Sequence, residues 1–377
     1  RLDLAVANRN SNNVSVLVNT TKAGDTTSSF DDKRDFATDN NPIFVQTVDI
    51  NSDGQLDLVV ANLTASRVSV LLNTLELGTA TPAFADKQEV TAGSNPRSVA
   101  VGDLNGDGRS DLAVADTIAN SVSVLLNATL PGAATIAFSA RRAFETGIAP
   151  VSVSIGDFNL DGKADVAVAN VNSSTLSILV NRTLPGSITP DFVKQDFQAG
   201  DGPLFVAVGD LNGDGKPDLA VANLVATVSV LFNTTIPGAD IPTFAPKLDV
   251  ATGDGPRSIS LADVNGDGKL DLAVANFNSD SLSVLLNTAD TGAATPSFGA
   301  IHGFQTGFRP VSVAAGDLNH DGKIDLAVAN INSSSVSVFL NTTAAGGAAP
   351  SFAAKTDFAT GANVRSMLME DLSGDGN

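Results

Sequence analysis

The chain has 377 residues, of which 43% are apolar, and it carries a net charge of −19 with no cysteine, tryptophan or tyrosine. This composition can fill a large core, but it excludes a disulfide framework, and no run of about 18 apolar residues predicts a membrane-spanning segment. The acidic balance argues against nucleic acid as a partner, because phosphate binding requires a basic surface.

The first residues already show a repeating pattern of strands. Asp3–Asn8 reads D-L-A-V-A-N and Val14–Asn19 reads V-S-V-L-V-N, and such aliphatic and β-branched runs are typical of half-buried strands. After a Gly-containing loop, a phenylalanine opens a further predicted strand in every repeat. We expect these rings to fill the layer between neighbouring repeats. They are Phe30, Phe84, Phe138, Phe192, Phe244, Phe298 and Phe352.

A fourth kind of predicted strand, such as Ser98–Gly102, precedes each of seven acidic loops. The loops are spaced by 53 or 54 residues and begin at Asp49, Asp103, Asp157, Asp210, Asp263, Asp317 and Asp371. A constant period with four strand-like segments is typical of a β-propeller blade rather than a helical solenoid. We place the strand before the loop innermost, because its Ser, Ala and Gly suit a crowded channel. The sequence therefore predicts an all-β, seven-bladed β-propeller with four antiparallel strands per blade.

The acidic loops have the composition of a calcium site. In Asp263–Asp271, oxygen-bearing side chains stand at positions 1, 3, 5 and 9, and a glycine at position 6 permits a sharp turn. Oxygen-only ligands favour Ca²⁺ over zinc or copper. The EF-hand begins with the same spacing, but it requires a glutamate at position 12, where this loop has Val274, and a helix where strand residues follow.

The predicted ligands repeat around the ring, with one Ca²⁺ per blade and up to seven in all. The side-chain ligands are Asp49, Asn51, Asp53, Asp57, Asp103, Asn105, Asp107, Asp111, Asp157, Asn159, Asp161, Asp165, Asp210, Asn212, Asp214, Asp218, Asp263, Asn265, Asp267, Asp271, Asp317, Asn319, Asp321, Asp325, Asp371, Ser373, Asp375 and Asp3. A main-chain carbonyl at position 7 is a further predicted ligand, at Gln55, Arg109, Lys163, Lys216, Lys269 and Lys323.

The two ends of the chain complete one loop between them. Arg1–Asp3 matches the last three positions, residues 371–377 match the first seven, and both Arg1 and Asn377 correspond to position 7. We therefore predict a single domain, residues 1–377, whose seam blade is shared by about residues 1–36 and 363–377. The N-terminus should supply the outer three strands of that blade and the C-terminus its innermost strand, which pairs both edges. Because the chain opens inside a repeat, we expect it to be part of a longer polypeptide.

The combination of D-x-N-x-D-G-x-x-D with D-L-A-V-A-N and V-S-V-L-L-N resembles the FG-GAP and VCBS repeat families along the whole chain. The first of these builds the seven-bladed propeller of integrin α subunits. The resemblance implies calcium loops on the lower face, at the positions given above, and a protein or glycan ligand on the opposite, upper face. The seam departs from the pattern, since Ser373 replaces asparagine, and we expect a weaker site there.

No catalytic constellation is visible. The two histidines, His302 and His320, fall on a fourth strand and at a non-ligand loop position, and the paired acids lie only in the calcium loops. We therefore predict that the protein is not an enzyme. Four arginines near the starts of innermost strands, Arg97, Arg257, Arg309 and Arg365, could gather an acidic ligand, with pairing to Asp201- or Asp254-type neighbours as the alternative.

Several third strands end in an N-x-T sequon, and these asparagines are candidate glycosylation sites: Asn19, Asn127, Asn181, Asn233 and Asn341. Further sequons occur at Asn13, Asn62, Asn172 and Asn332. Ordinary turn chemistry is the alternative explanation, because Asn and Thr both favour such positions.

The predicted function is that of a calcium-stabilised binding, adhesion or scaffold module outside the cell or at its surface. Millimolar extracellular Ca²⁺ suits modular sites of about 10⁻⁴–10⁻³ M affinity. Self-assembly as a bead in a longer repetitive chain or fibre is part of this prediction. Two alternatives remain open: a lectin-like propeller, although sugar stacking favours the Trp and Tyr that are absent here, and a propeller-fold polysaccharide-degrading enzyme.

Overall fold

The computed structural model describes residues 1–75 and 81–375, and in this part of the chain every regular element is a β-strand. The strands form seven sheets, each with four antiparallel strands. The innermost strands of neighbouring sheets contact one another around a central channel, and each sheet forms one blade of the ring. The predicted seven-bladed propeller is confirmed.

The four strands of each blade have similar lengths throughout the ring. The innermost strands are β4 (Pro42–Val48), β8 (Pro96–Gly102), β12 (Pro150–Gly156), β16 (Pro203–Gly209), β20 (Pro256–Ala262), β24 (Pro310–Gly316) and β28 (Val364–Glu370). The second strands are β5 (Asp57–Asn62), β9 (Asp111–Asp116), β13 (Asp165–Asn170), β17 (Asp218–Asn223), β21 (Asp271–Asn276), β25 (Asp325–Asn330) and β1 (Asp3–Asn8). The third strands are β6 (Arg67–Leu71), β10 (Ser121–Leu125), β14 (Thr175–Asn181), β18 (Thr227–Leu231), β22 (Ser281–Leu285), β26 (Ser335–Phe339) and β2 (Asn13–Leu17). The outer strands are β7 (Gln88–Thr91), β11 (Arg142–Glu145), β15 (Phe192–Gln198), β19 (Leu248–Ala251), β23 (His302–Gln305), β27 (Thr356–Ala359) and β3 (Arg34–Ala37). In this order they define blades 1 to 6 and, last, the seam blade.

The seam blade joins the two ends of the chain as the sequence predicts. Its strand order is β28-β1-β2-β3, so the C-terminal strand is innermost and the N-terminal strands complete the blade. Leu4 pairs with Met369 and Val6 with Met367 in an antiparallel register. The predicted correspondence between Arg1 and Asn377 involves a position that lies outside the described residues.

The second strands form the most deeply buried layer, because all of their residues are buried. Side chains alternate between the faces of a strand, so L-A-V-A puts its large residues on one face and its alanines on the other. Leu and Val of one blade pack against the Ala face of the preceding blade: Val166 and Val168 of blade 3, for example, lie in one cluster with Ala113 and Ala115 of blade 2. The repeated tetrapeptide thus fixes how neighbouring blades pack.

The recurring phenylalanines lie between blades, but their predicted place at the start of the outer strand is wrong in six blades. Only Phe192 begins its strand, and the other six form isolated bridges with the asparagine after the third strand. In the seam blade Asn19 pairs with Phe30 but Val16 with Arg34, so the outer segment contains one extra residue that interrupts the ladder. The rings nonetheless bridge blades, as in the edge-to-face contact of Phe30 with Phe358 at 4.8 Å.

A buried polar relay crosses most blades near the upper end of the second strand. In blade 3, the amide of Asn170 donates to Ser177 Oγ at 2.9 Å, and Ser177 donates to Asp196 at 2.6 Å. Lys194 Nζ lies 2.9 Å from the same aspartate. All six asparagines that end a second strand donate to a serine in this way.

Blade 2 contains a similar relay, but its carboxylate lies on the buried second strand rather than on the outer strand. Asp116 takes the place of the asparagine, while Ala143 stands opposite Ser123, where blade 3 has its outer aspartate. Ser123 donates to Asp116, and Arg141 lies 3.8 Å from the same carboxylate. Burial raises the pKa of Asp116 to about 6, while Ser123 and Arg141 partly oppose the shift. The ionised form of Asp116 is therefore disfavoured relative to its protonated form.

We expect Asp116→Asn to stabilise the protein by about 1–3 kcal/mol at pH 7.5, since one pKa unit corresponds to about 1.4 kcal/mol. The native pKa lies above the ordinary value of 3.8, so the native state binds more protons than the unfolded state between these values. Wild-type stability should rise as the pH falls from about 6 to about 4, and the advantage of D116N should disappear there. Denaturant unfolding of both proteins at pH 7.5 and 4 measures this. A constant difference at both pH values would contradict it, and Asp191→Asn, at an exposed position outside the relay, is the control.

Within the residues that the structure describes, there is no helix of the length and hydropathy needed to cross a membrane.

Candidate metal centre

Each acidic loop joins an innermost strand to a second strand and folds around its own side-chain oxygens. In Asp263–Asp271, one carboxylate oxygen of Asp263 accepts the N–H of Asp267 at 3.0 Å, and the other accepts the N–H of Gly268 at 2.8 Å. Asn265 Oδ1 also accepts from Asp267, at 3.2 Å. Gly268 has φ 85°, a left-handed conformation that favours glycine. The predicted turn at position 6 is present in the loop.

The backbone at position 4 is also left-handed in every loop, a feature that was not predicted from the sequence. Three loops have a non-glycine residue there, with φ 53° at Ser52, 58° at Leu160 and 51° at His320. The glycine at position 4 of the other four loops is the sequence feature that could have predicted this left-handed backbone. His320 therefore serves the turn, and His302 begins outer strand β23 of another blade.

The position-9 aspartate is tied into the fold by both carboxylate oxygens. Asp271 is fully buried, and it accepts the N–H of Val264 at 2.9 Å and the N–H of Asn287 at 2.7 Å. The first contact closes the loop, and the second reaches the end of the third strand. The same pair of contacts recurs at Asp57, Asp111, Asp165, Asp218 and Asp325.

The charge of the position-9 aspartate is disfavoured in each intact loop. Burial raises the pKa of Asp271 to about 6, the nearby Asp267 and Asp263 raise it further, and the two N–H donors oppose the shift. The pKa is also about 6 at Asp57, Asp111, Asp218 and Asp325, and about 7 at Asp165. A bound cation would reverse this shift, because it favours the ionised form.

The donor chemistry of the loops fits calcium, since each intact loop gathers three aspartates and one asparagine oxygen. Among the described residues, however, no three acidic, histidine or cysteine side chains have the arrangement of a preformed metal site. Position 9 is the least accessible ligand, because Asp271 is fully buried and both of its oxygens accept N–H groups, whereas Asp263 is only half-buried. The ligand set, including the position-7 carbonyls, stays a prediction.

The loops also connect neighbouring blades. The carbonyl of Asn265 in blade 5 accepts the N–H of Gly346 in blade 6 at 2.7 Å, and its amide donates to the carbonyl of Gly347 at 3.2 Å. That amide contact leaves Oδ1 directed at the loop interior, where it accepts from Asp267. The next blade therefore orients the predicted asparagine ligand, and the shape of the loop is coupled to the packing of blades.

The asparagine after each third strand forms a second inter-blade connection. Asn341 Nδ2 donates to the carbonyl of Val264 in the preceding blade at 2.8 Å and to that of Ile324 at 2.8 Å. Its Oδ1 accepts the N–H of Thr343 at 2.8 Å. All three hydrogen bonds are formed inside the protein, since the side chain is only 2% exposed.

This geometry favours turn chemistry over glycosylation at the five predicted sequons. The asparagines Asn19, Asn127, Asn181, Asn233 and Asn341 are 1–2% exposed, and each Nδ2 donates to a carbonyl of the neighbouring blade. An amide nitrogen held in this way is not accessible in the folded protein. Of the remaining sequons, Asn172 and Asn332 are exposed.

The seam loop is completed across the two chain ends as predicted. Asp3 is fully buried and accepts the N–H of Leu372 at 3.1 Å and of Asn19 at 2.8 Å, which are the contacts of a position-9 aspartate, and it also accepts the N–H of Ser373 at 2.8 Å. Ser373 also donates to Asp371 at 3.5 Å. The substitution of serine for asparagine removes the amide that donates to a carbonyl of the next blade in five of the six intact loops.

The upper-face arginines do not share one environment. Arg97, Arg257 and Arg365 are half-buried at the mouth of the central channel, whereas Arg309 is exposed with its guanidinium 5.0 Å from the ring centre of Phe277. Within residues 1–75 and 81–375, none of the four lies within 4.0 Å of a carboxylate, so pairing with Asp201 or Asp254 is wrong.

Comparison with known proteins agrees with the repeat pattern and the architecture. A sequence profile described as FG-GAP-like repeat matches residues 49–114, 103–168, 157–221, 263–328 and 317–377, which together exceed half of the chain. A search of curated protein sequences finds no match.

Solved propellers resemble this one in fold. A protein provisionally assigned as a 6-phosphogluconolactonase from Bacteroides fragilis has a TM-score of 0.67 at 15% identity, with 98% of each chain covered. A similar protein from Bacteroides uniformis has a TM-score of 0.67 at 16% identity, covering 98% of this chain and 99% of the other. The periplasmic gluconolactonase of Pseudomonas aeruginosa has 0.63 at 17% identity, covering 97% and 98%. At these identities the likeness shows the fold alone.

Proposed function

The chain belongs to the FG-GAP-like repeat family, and from this premise we propose that it is a calcium-stabilised propeller that serves as a non-enzymatic binding, adhesion or scaffold module outside the cell or at its surface. The observation that carries the proposal is the set of six intact acidic loops, each coupled to the next blade by the main-chain carbonyl of its position-3 asparagine.

Charge balance supports calcium binding. Six intact loops with three aspartates each contribute 18 of the 41 acidic residues, and the seam loop adds Asp371, Asp375 and Asp3. Seven divalent ions would bring the net charge from −19 to about −5. Half of the acidic residues thus belong to these loops, in which the neighbouring carboxylates help to raise the pKa of the buried position-9 aspartate.

Bound calcium would supply positive charge at the centre of each loop. Around it, the chain's own groups hold the loop in place: Asp271 ties the loop to the third strand, and Asn265 ties it to the next blade. Calcium would therefore act as a static structural ion in a rigid ring, with the upper face left for a protein or glycan partner.

The outer edges of the blades are charged, which limits how propellers can associate. Charged pairs such as Lys33 with Asp35 and Lys247 with Asp249 lie at the outer strands, and charged edges oppose strand-to-strand association. We propose that any longer assembly places the propellers as beads along one polypeptide, rather than joining blade edges.

We expect equilibrium dialysis to find six or seven bound Ca²⁺ per chain with dissociation constants of about 10⁻⁴–10⁻³ M. Asp263→Ala should lower the count by one, because it removes a carboxylate that spans its loop. Lys269→Ala, in the same loop, should leave the count unchanged, because only its main-chain carbonyl is a predicted ligand.

Two results would contradict the proposal. Absence of calcium binding, or an unchanged count in D263A, would refute the metal assignment. Submicromolar dissociation constants would contradict the proposed location, because such sites are typical of cytosolic calcium levels rather than of extracellular modules.

A further inference from the structure

The mouth of the central channel is lined by one residue from each blade, the second residue of the innermost strand. In blade 2, Pro96 pairs with Asp116 and Ser98 pairs with Ala115, so Arg97 between them is the extra residue of a β-bulge. The second residue of every innermost strand is skipped by the ladder in the same way. A bulge redirects its side chain, and here all seven of these residues line one cavity.

Three of these seven positions are arginine, and the other four are aliphatic. Arg97, Arg257 and Arg365 belong to blade 2, blade 5 and the seam blade, so they are separated around the ring by three, two and two blades. Three guanidinium groups thus surround the opening in an approximately trigonal arrangement. The cavity has a volume of about 130 Å³, roughly ten times the minimum of about 10–15 Å³ that holds one water molecule.

These arginines have positive charge without a matching carboxylate. Among the described residues no acid lies within 4.0 Å of them, and Arg257 Nε is buried without a hydrogen-bond partner. Burial and the neighbouring Arg9, Arg97 and Arg257 lower the pKa of Arg365 to about 10, which leaves it charged at pH 7. Burial also lowers the pKa of Arg97 and Arg257.

Arginines without a carboxylate partner are unexpected in a chain that has 41 acidic and only 22 basic residues. Lysines in or directly before the outer strands, such as Lys194 and Lys355, each pair with an aspartate two residues away. Carboxylates are therefore abundant, yet in the described part of the chain none lies within 4.0 Å of the arginines at the channel mouth. Since unpaired buried charge is unfavourable, this arrangement is expected where a ligand supplies the counter-charge.

Neighbouring groups hold the guanidinium groups in place and add further donors. Arg257 lies 4.7 Å from the ring centre of Phe277, and Arg365 Nε donates to Asn363 at 3.0 Å. In the next ring inward, Ser98 Oγ accepts the N–H of Val153 at 3.3 Å, and Ser258, Ser152 and Ser366 accept similarly. These hydroxyls keep their own protons for donation.

We propose that the channel mouth binds a small molecule through an oxyanion, a phosphate or sulfate ester, held by Arg97, Arg257 and Arg365 with serine hydroxyls beneath. Guanidinium groups form charge-assisted hydrogen bonds to such oxygens. The aliphatic positions between the arginines, together with Phe44 and Phe205, provide an apolar lining for the organic part of the ligand. The site goes beyond the proposed calcium function, because its residues belong to none of the acidic loops.

Calorimetric titration with sodium sulfate and with methyl phosphate, at fixed ionic strength set with chloride, tests the proposal. We expect one saturable site per chain. Arg257→Gln should weaken the affinity at least tenfold, and Arg34→Gln, which removes an exposed charge from outer strand β3, should leave it unchanged. The variants are needed because sulfate stabilises proteins without specific binding. Tighter binding of methyl phosphate would assign a phosphate ester, and tighter binding of sulfate a sulfate ester.

Folding of the variants is checked by their melting temperatures without added anion. R257Q should melt at the wild-type temperature or above, because it relieves repulsion; should it fail to fold, Arg97→Gln provides the same comparison. The proposal is overturned if neither anion binds the wild type saturably, or if the folded arginine variant binds as tightly as R34Q. Either result would leave the calcium assignment unaffected.

Discussion

Removal of calcium with excess EDTA is expected to lower the melting temperature by about 20 °C relative to about 10 mM Ca²⁺. With a dissociation constant of about 0.1 mM, each ion contributes about 2.7 kcal/mol, and six ions about 16 kcal/mol. For 377 residues the unfolding entropy is about 0.8 kcal/mol/K, which converts this sum into the expected shift. The effect should reach the whole ring, because every intact loop contacts the next blade.

Scanning calorimetry in calcium, in EDTA and in EDTA followed by excess calcium measures this effect and its reversibility. Magnesium at the same concentration is the matched control, because it retains its water and should restore much less stability. A melting temperature that is the same in calcium and EDTA would refute the calcium assignment.

Asn287→Ala is expected to destabilise the protein by about 3–6 kcal/mol, in EDTA as well as in calcium. The amide of Asn287 donates to the carbonyls of Leu211 at 2.7 Å and Leu270 at 3.0 Å, and its Oδ1 accepts the N–H of Ala289 at 2.9 Å. Truncation leaves three polar groups unpaired, and because the contact with the Leu270 carbonyl is only part-buried, we take about 1–2 kcal/mol for each. With an unfolding entropy of about 0.8 kcal/mol/K, the melting temperature should fall by about 4–7 °C.

Thr288→Ala is the matched control, because the neighbouring Thr288 is exposed and its hydroxyl contacts only the exposed Ser297. Residues 287–289 do not form a sequon, so glycosylation does not complicate the comparison. A melting temperature of N287A within about 1 °C of T288A would show that this asparagine does not hold neighbouring blades together; surface changes normally stay within about 0.5 kcal/mol.

These two predictions separate the two kinds of contact between blades. The position-3 asparagines belong to the acidic loops, so their contacts with the next blade should depend on the bound ion. The asparagines after the third strands contact main-chain carbonyls directly and need no ion. Calcium removal should therefore loosen the ring without abolishing the contacts that N287A removes.

The repeat carried most of the information about the fold. Its 53- or 54-residue period fixed the number of blades, and residues 1–3 and 371–375 predicted that the two ends share one blade. The L-A-V-A alternation determined which faces of the blades could meet, because side chains alternate along a strand. These features depend on neighbouring residues or on a regular repeat, and such patterns can be recognised in the sequence without a structure.

Features that depend on residues far apart in the chain were decided by the tertiary structure alone. One extra residue moved Phe30 out of the outer strand, and the neighbouring blade buried the sequon asparagines such as Asn341. Arg97, Arg257 and Arg365 look unrelated in sequence, and only ring closure and the β-bulges bring them to one cavity, whose described lining residues include no carboxylate. The physical reason is that the sequence encodes each blade's strands through local pattern, whereas burial and charge at the channel depend on which blades face each other.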